Sequence, residues 1–294
     1  MHKLHLTWTS DASPEMQLQS RLAIEAAKNI GPCTIWVHES EISDIDPHLS
    51  RLAEFLPYKS LFKNQQPWIS SPKWRIKPRG EVVLGCDADT VIWNRNLVLQ
   101  YANTCLAAQA ICGTIAYADQ LTDSEFRQLF ADYGLPYEDK HRYQVSLNPA
   151  PFCVNHGAVM IPANLLTVFS DVFYEHLPKL VDRYPDRYYT PQIAVCLSIY
   201  LSGLNRIEFP YSFNYYHGVG PMISDFNEIA MLHYGTYRDD PFNAQIPQFR
   251  SYFRSLLPDA WLATVVSSRR FNQKIAITSV IEKNAEWSPP IMMS

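Results

Sequence analysis

The chain has 294 residues, of which 47% are hydrophobic and only 18% charged, so it can bury a large core and is neither disordered nor a coiled coil. Its 25 lysines and arginines stand against 29 aspartates and glutamates, a net charge of -4 that leaves no basic footprint for nucleic acid. Ten glycines and 21 prolines without a fixed period exclude collagen, solenoid and propeller architectures. The six cysteines form no C-x-x-C pair and sit mostly in apolar runs, so they read as reduced, buried residues of a protein in a reducing compartment, cytoplasmic by expectation. The first residues reach Thr7, Ser10 and Asp11 before an apolar stretch can form, which argues against a signal peptide. The longest apolar stretch, residues 106–118, is interrupted by Gln109 and Thr114 and is shorter than the about 20 residues a bilayer span needs.

In chain order, residues 4–8 read as a strand, and Pro14 opens a helix to residue 29 that Gly31 and Pro32 terminate. Residues 33–37 read as a second strand, 47–56 as a helix and 81–86 as a third strand. Residues 57–80 hold four prolines with Trp68 and Trp74 and no period, as expected of an ordered loop packed over something. A helix over 96–108, a strand over 111–117 and a helix over 123–133 follow, the last with Thr122 and Glu125 as a capping box. Then come a strand over 152–161, helices over 164–180 and 191–201, and short strands over 206–209, 213–217 and 229–233. This alternation predicts an α/β fold with a mainly parallel central sheet flanked by helices. The expected organisation is one domain over residues 1–270 and a tail over 271–294.

Three short motifs carry chemistry. Residues 82–92, Val-Val-Leu-Gly-Cys-Asp-Ala-Asp-Thr-Val-Ile, form a buried strand that delivers Asp87 and Asp89 to the carboxyl edge of the sheet, where open α/β sheets bind ligands. Such oxygen donors suit Mg²⁺ or Mn²⁺; the plain alternative is a pair of turn-capping aspartates. In the strand Phe-Cys-Val-Asn-His-Gly-Ala-Val-Met-Ile over 152–161, Gly157 marks a close approach, or else a bulge, and Asn155 offers both a donor and an acceptor. Alternation turns His156 to the opposite face, in a structural or surface role. Finally, His233 ends an apolar strand and is followed by Gly235, which lets backbone approach a phosphate, and by Arg238, which can neutralise one.

In this order the motifs resemble those of the GT-A glycosyltransferases, the glycogenin-like nucleotide-diphosphosugar transferases in particular, over roughly residues 4–242. The resemblance implies a GT-A-like fold and a metal held by Asp87, Asp89 and His233. It also implies a sugar pocket containing Asn155, Gly157 and Gln192, with Asn155 and Gln192 as catalytic candidates. Thr7, Thr9 and Ser10 stand where such enzymes hold the nucleotide, with His38 and Glu39 as further candidates. Arg75, Gly235 and Arg238 are candidate diphosphate or base contacts. The implied activity is metal-dependent transfer of a hexose from a nucleotide-diphosphosugar, a UDP-sugar by expectation, to a hydroxyl of a glycan, lipid or protein acceptor. Asp119, Asp186 and Asp225 are unranked as general base. Two departures stand out: Arg238 and Pro241-Phe242 replace a lysine and a Pro-Trp pair, and Thr190-Pro191-Gln192 lacks the acid that usually precedes the glutamine. Two rival readings accompany this one. The first, a haloacid-dehalogenase-type phosphatase, shares the Asp-x-Asp-Thr pattern but places it on its first strand. The second is a nucleotide-sugar or glycan binding protein without turnover, which the missing acid favours.

Overall fold

The computed structural model describes residues 2–63, 65–185, 189–219, 222–235 and 244–257. The strands are β1 (His2–Ser10), β2 (Cys33–His38), β3 (Glu54–Tyr58), β4 (Gly80–Cys86), β5 (Thr90–Ile92), β6 (Ala110–Ile115), β7 (His141–Arg142), β8 (Pro149–Ala150), β9 (Val154–Pro162), β10 (Asn205–Glu208), β11 (Asn214–Tyr216) and β12 (Met231–His233). The helices are α1 (Pro14–Ala27), α2 (Leu49–Leu52), α3 (Arg95–Ala108), α4 (Asp123–Asp132), α5 (Leu166–Arg183), α6 (Thr190–Leu201) and α7 (Pro247–Ser255).

Seven strands form the central sheet in the order β10-β6-β9-β4-β1-β2-β3. Its pairs are parallel except for the two made by β9, which runs against both β4 and β6. The α/β class with a mainly parallel sheet is thus the observed one. Helices cover both faces because the central strands are apolar on both sides: Val82, Val83 and Leu84 of β4 are each fully buried. One face packs Val83, Ile111 and Ile161 against Phe126 and Phe130 of α4, Phe169 and Phe173 of α5, and Ile193 and Leu197 of α6. The other packs Leu4, Leu6, Leu84 and Met160 against Ala23 of α1 and Val98 and Ala102 of α3. A small sheet, β11-β12-β5, encloses a third cluster with Leu22 of α1 and with Phe249 and Phe253 of α7.

Helix ends follow local chemistry. Ser13 accepts from the Met16 N–H at the start of α1, with Pro14 in the first turn. Thr122 and Glu125 close the expected capping box on α4. All six cysteines are free and buried. The expected helix over 47–56 is replaced by the single turn α2 and by the edge strand β3, whose residues 54–58 pair in parallel with β2. The edge position explains why Pro57 is tolerated in a strand. The stretch after it is ordered as anticipated, through short 3-10 turns at Pro67–Ser70 and Pro72–Trp74. Among the described residues no helix is long and apolar enough to cross a membrane. The 271–294 tail lies outside the described residues.

Candidate metal site

Topology assembles the site at the carboxyl edge of the parallel strands. β4 ends at Cys86, so Asp87 leaves the sheet there, and a tight turn closes with the Thr90 N–H donating to the Asp87 carbonyl at 3.1 Å. Because β9 is antiparallel to β4, its first residues arrive where β4 leaves. Cys86 pairs with Ala158, and the Asp87 N–H donates to the Gly157 carbonyl at 3.2 Å. After the turn, β5 runs antiparallel to β12 with Thr90 opposite His233, and the Tyr234 N–H donates to the Asp89 carbonyl at 2.9 Å. That register brings His233 beside a residue 144 positions earlier in the chain.

The result is a cluster in which one donor atom each from Asp87, Asp89 and His233 lies within 4.8 Å of the others. His233 Nε2 is 3.2 Å from Asp89 Oδ1, and its Nδ1 is buried without a hydrogen-bond partner. The ring stacks on Tyr216 at 4.5 Å between centroids and 6° between planes, which fixes its orientation. Burial alone would lower the His233 pKa, but the charge and hydrogen bond of Asp89, with a smaller contribution from Asp87, outweigh it and raise the value. For Asp87, burial works against the charged form, yet Lys73 first and then His156 and His233 prevail and hold its pKa below the ordinary value.

Two glycines make room. A Cβ on Gly157 would lie 2.6 Å from Asp87 Oδ2, 2.8 Å from Asn155 Oδ1 and 3.1 Å from His233 Cε1. A Cβ on Gly235 would lie 2.6 Å from the Tyr216 hydroxyl and 3.0 Å from Asp89 Oδ2. Two carboxylates, an imidazole with an orphaned nitrogen and cradles free of Cβ atoms fit a hard or borderline divalent cation.

The neighbouring candidates are placed as follows. Asn155 is buried, and its Oδ1 accepts from the Gly157 N–H at 2.7 Å and from Asn214 Nδ2 at 3.3 Å. Gln192, near the start of α6, accepts from the His156 N–H at 2.9 Å, so α6 is tied to the same stretch of β9. The His156 side chain points away from Asn155 and Gly157, its ring bonded to the Ser71 hydroxyl at 2.9 Å and edge-on to Trp74. Thr7 is fully buried, and its hydroxyl has no partner. Further along the strand, Thr9 is half-buried and Ser10 accepts from the Ser20 hydroxyl at 3.0 Å. His38 bonds Ser40 at 2.7 Å, and Glu39 lies 3.7 Å from Lys59.

Arg75 is exposed and lies over the Tyr174 ring at 4.1 Å, on α5. Asp119 bonds Ser146 at 2.6 Å and Asn148 at 2.7 Å, and Asp225 caps the turn Phe226–Glu228. Arg238 and Asp186 lie outside the described residues.

Sequence reasoning missed Lys73. Only 2% of its side chain is exposed, and Nζ reaches the His156 carbonyl at 2.8 Å, the Cys86 carbonyl at 3.2 Å and Asp87 Oδ1 at 3.2 Å. The signal available was a lysine next to a tryptophan in the unassigned proline-rich stretch. The left-handed Ser71, at φ 43°, turns the chain so that Lys73 enters the core.

No protein-family model matches the chain, and no curated protein matches it in sequence. Solved structures do match it in fold. Mouse xyloside xylosyltransferase 1 superposes with a TM-score of 0.50 at 13% identity, over 83% of this chain and 100% of the other. The galactosyltransferase LgtC, solved with donor and acceptor sugar analogues, gives 0.52 at 11% identity over 88% and 99%. The glycosyltransferase GlyE of Streptococcus pneumoniae gives 0.50 at 12% identity over 92% of this chain and 64% of the other. The central sheet, the helices on both faces and the Asp87-x-Asp89 turn at the sheet's edge together give this chain the fold of the GT-A glycosyltransferases.

Proposed function

We propose that this protein is a metal-dependent glycosyltransferase that moves a hexose from a nucleotide-diphosphosugar, a UDP-sugar in the first instance, to an acceptor hydroxyl. The observation that carries the reading is the convergence of Asp87, Asp89 and His233 within 4.8 Å at the carboxyl edge of a GT-A sheet. These side chains would hold Mn²⁺ or Mg²⁺. When bound, such a cation neutralises charge on the departing diphosphate.

The chain's own residues prepare the rest. Asn155 and Gln192 have their side-chain carbonyls occupied by backbone or side-chain N–H groups, which aims their amide donors elsewhere and suits them to sugar hydroxyls. Gly157 and Gly235, having no Cβ, let the Asp87 and Asp89 carboxylates lie close against the backbone. Thr9 and Ser10, at the end of β1 on the same edge, would face the nucleotide, whereas Thr7 is fully buried and would act only through the packing behind them. The Asp87 side chain is 42% exposed, so a donor would reach the carboxylates from that open side.

The test is equilibrium binding of UDP- and GDP-hexoses with Mn²⁺ or Mg²⁺, followed by release of nucleoside diphosphate with a panel of glycan, lipid and peptide acceptors. Binding that needs the cation and is lost in Asp89→Asn supports the reading. Absence of donor binding with either cation overturns it. One observation favours a second reading. At the start of α6, Pro191 stands where an acid would precede Gln192, which suits a nucleotide-sugar binding protein without turnover. Tight donor binding with neither hydrolysis nor transfer would select that reading.

A further inference from the structure

We propose that Lys73 makes this site select a divalent cation already paired with a diphosphate over the free cation. The inference rests on the metal and donor site proposed above, and it concerns the charge balance there.

An ammonium has three N–H donors. Those of Lys73 have three protein acceptors in reach, the carbonyls of His156 at 2.8 Å and Cys86 at 3.2 Å and Asp87 Oδ1 at 3.2 Å, and the side chain is 2% exposed. Lys73 is therefore a fixed internal charge rather than an arm that swings onto a ligand. It also takes one oxygen of Asp87, so that the other, Oδ2, is the one that faces the Gly157 cradle and His233.

Among the described residues, the charged groups of the cluster are two carboxylates and this one ammonium, with an imidazole between them. Two carboxylates against one ammonium leave a single net negative charge. A bare dication is thus poorly matched and is repelled by an ammonium that cannot move away. A diphosphate supplies the missing negative charge on the open side of the cation. Without the lysine, the same carboxylates and imidazole would present twice the net charge and would accept a free cation readily. Linkage makes the effect reciprocal: the factor by which diphosphate tightens the cation is the factor by which the cation tightens diphosphate.

The experiment measures protein-bound Mn²⁺ by equilibrium dialysis of the full chain with EPR readout of total Mn²⁺ in each chamber, first alone and then with saturating UDP or GDP in both chambers, so that Mn²⁺ held by the free diphosphate cancels. Wild type is expected to bind Mn²⁺ at least about tenfold more tightly with a diphosphate present. Lys73→Met is expected to bind Mn²⁺ alone more tightly than wild type and to gain less from the diphosphate. Lys73→Gln, which keeps N–H donors for the Cys86 and His156 carbonyls, should behave likewise and serves if the methionine variant does not fold. Equal Mn²⁺ affinity of wild type with and without diphosphate overturns the proposal, whatever the variants do. So does a folded neutral variant that binds free Mn²⁺ no better than wild type. Asp87→Asn separates this failure from that of the site itself: Mn²⁺ binding that ignores Asp87 in both conditions places the ion elsewhere and removes the metal-site reading.

Discussion

Gly157→Ala is the most direct perturbation of the candidate metal site, because it adds a single carbon and no charge. Gly157 sits in β9 with an ordinary negative φ, so alanine can adopt its backbone conformation and the cost is one of space. The new Cβ would stand 2.6 Å from Asp87 Oδ2 and 2.8 Å from Asn155 Oδ1, so the Asp87 oxygen would have to retreat by about 0.8 Å to reach an ordinary contact of 3.4 Å. Lys73 opposes that retreat by holding the other oxygen. Metal–ligand distances tolerate only about 0.2 Å, and disturbing the groups that orient a ligand typically costs ~10–100-fold in affinity. The expected loss of Mn²⁺ affinity, measured with UDP present, is therefore about 10–100-fold, or ~1.4–2.7 kcal/mol. Overpacking should remove about 1–3 kcal/mol of fold stability. Calorimetric titration of Mn²⁺ and a urea denaturation curve read the two effects separately. A folded Gly157→Ala protein with wild-type Mn²⁺ affinity would refute the claim that Asp87 Oδ2 faces the ion.

Further outcomes follow from the same geometry. The raised His233 pKa of the metal-free site predicts that Mn²⁺ affinity begins to fall on acidification at a pH above the ordinary 6.5, because the proton competes with the ion for the imidazole; affinity measured from pH 8 to pH 5 checks it. In EDTA the sign reverses for stability. The Asp89–imidazolium pair contributes fully below about pH 6.5, its contribution is lost as pH rises through the higher folded value, and Asp89→Asn should flatten that slope in thermal melts. Gly85→Ala would place a Cβ 2.2 Å from the Trp74 ring, which is 1% exposed and wedged against Phe169, so urea denaturation should show a loss of about 3 kcal/mol. Thr122→Ala should cost about 1 kcal/mol by removing the side-chain half of the α4 capping box, with no change in Mn²⁺ affinity.

What the sequence discloses and what it hides divide along physical lines. The strand before Asp87 is legible because a run of Val-Val-Leu buried on both faces belongs in the middle of a parallel sheet, and β4 lies there. The opposed faces of His156 and Asn155 are legible from strand alternation alone. The antiparallel course of β9 is not, because an apolar strand reads the same in either direction, yet it brings Gly157 to Asp87. The helix expected over 47–56 fails for a related reason. Pro57 marks a boundary to a local reading, but an edge strand has no partner waiting for its N–H, so β3 runs through it.

The pairing of His233 with Asp89 depends on a register between two three-residue strands; β12 lies within the strand legible over 229–233, but β5 is too short to announce itself and neither strand names its partner. Family resemblance supplied that pair, and the structure supplies the reason for it. Lys73 had neither source. A lysine in a proline-rich loop reads as solvated, and Arg75, two residues on, is the more conspicuous cation in the sequence. The left-handed turn at Ser71 and the 3-10 turn Pro72–Trp74 decide between the two. They drive Lys73 and Trp74 inward, Trp74 onto the bare face of Gly85 and Lys73 onto Asp87, and leave Arg75 outside on Tyr174. The same packing that makes Gly85 obligatory therefore positions the ammonium. Filling the space above Gly85 should disturb Mn²⁺ binding as well as stability, whereas substitution of Arg75 should leave the charge balance at Asp87 as it is.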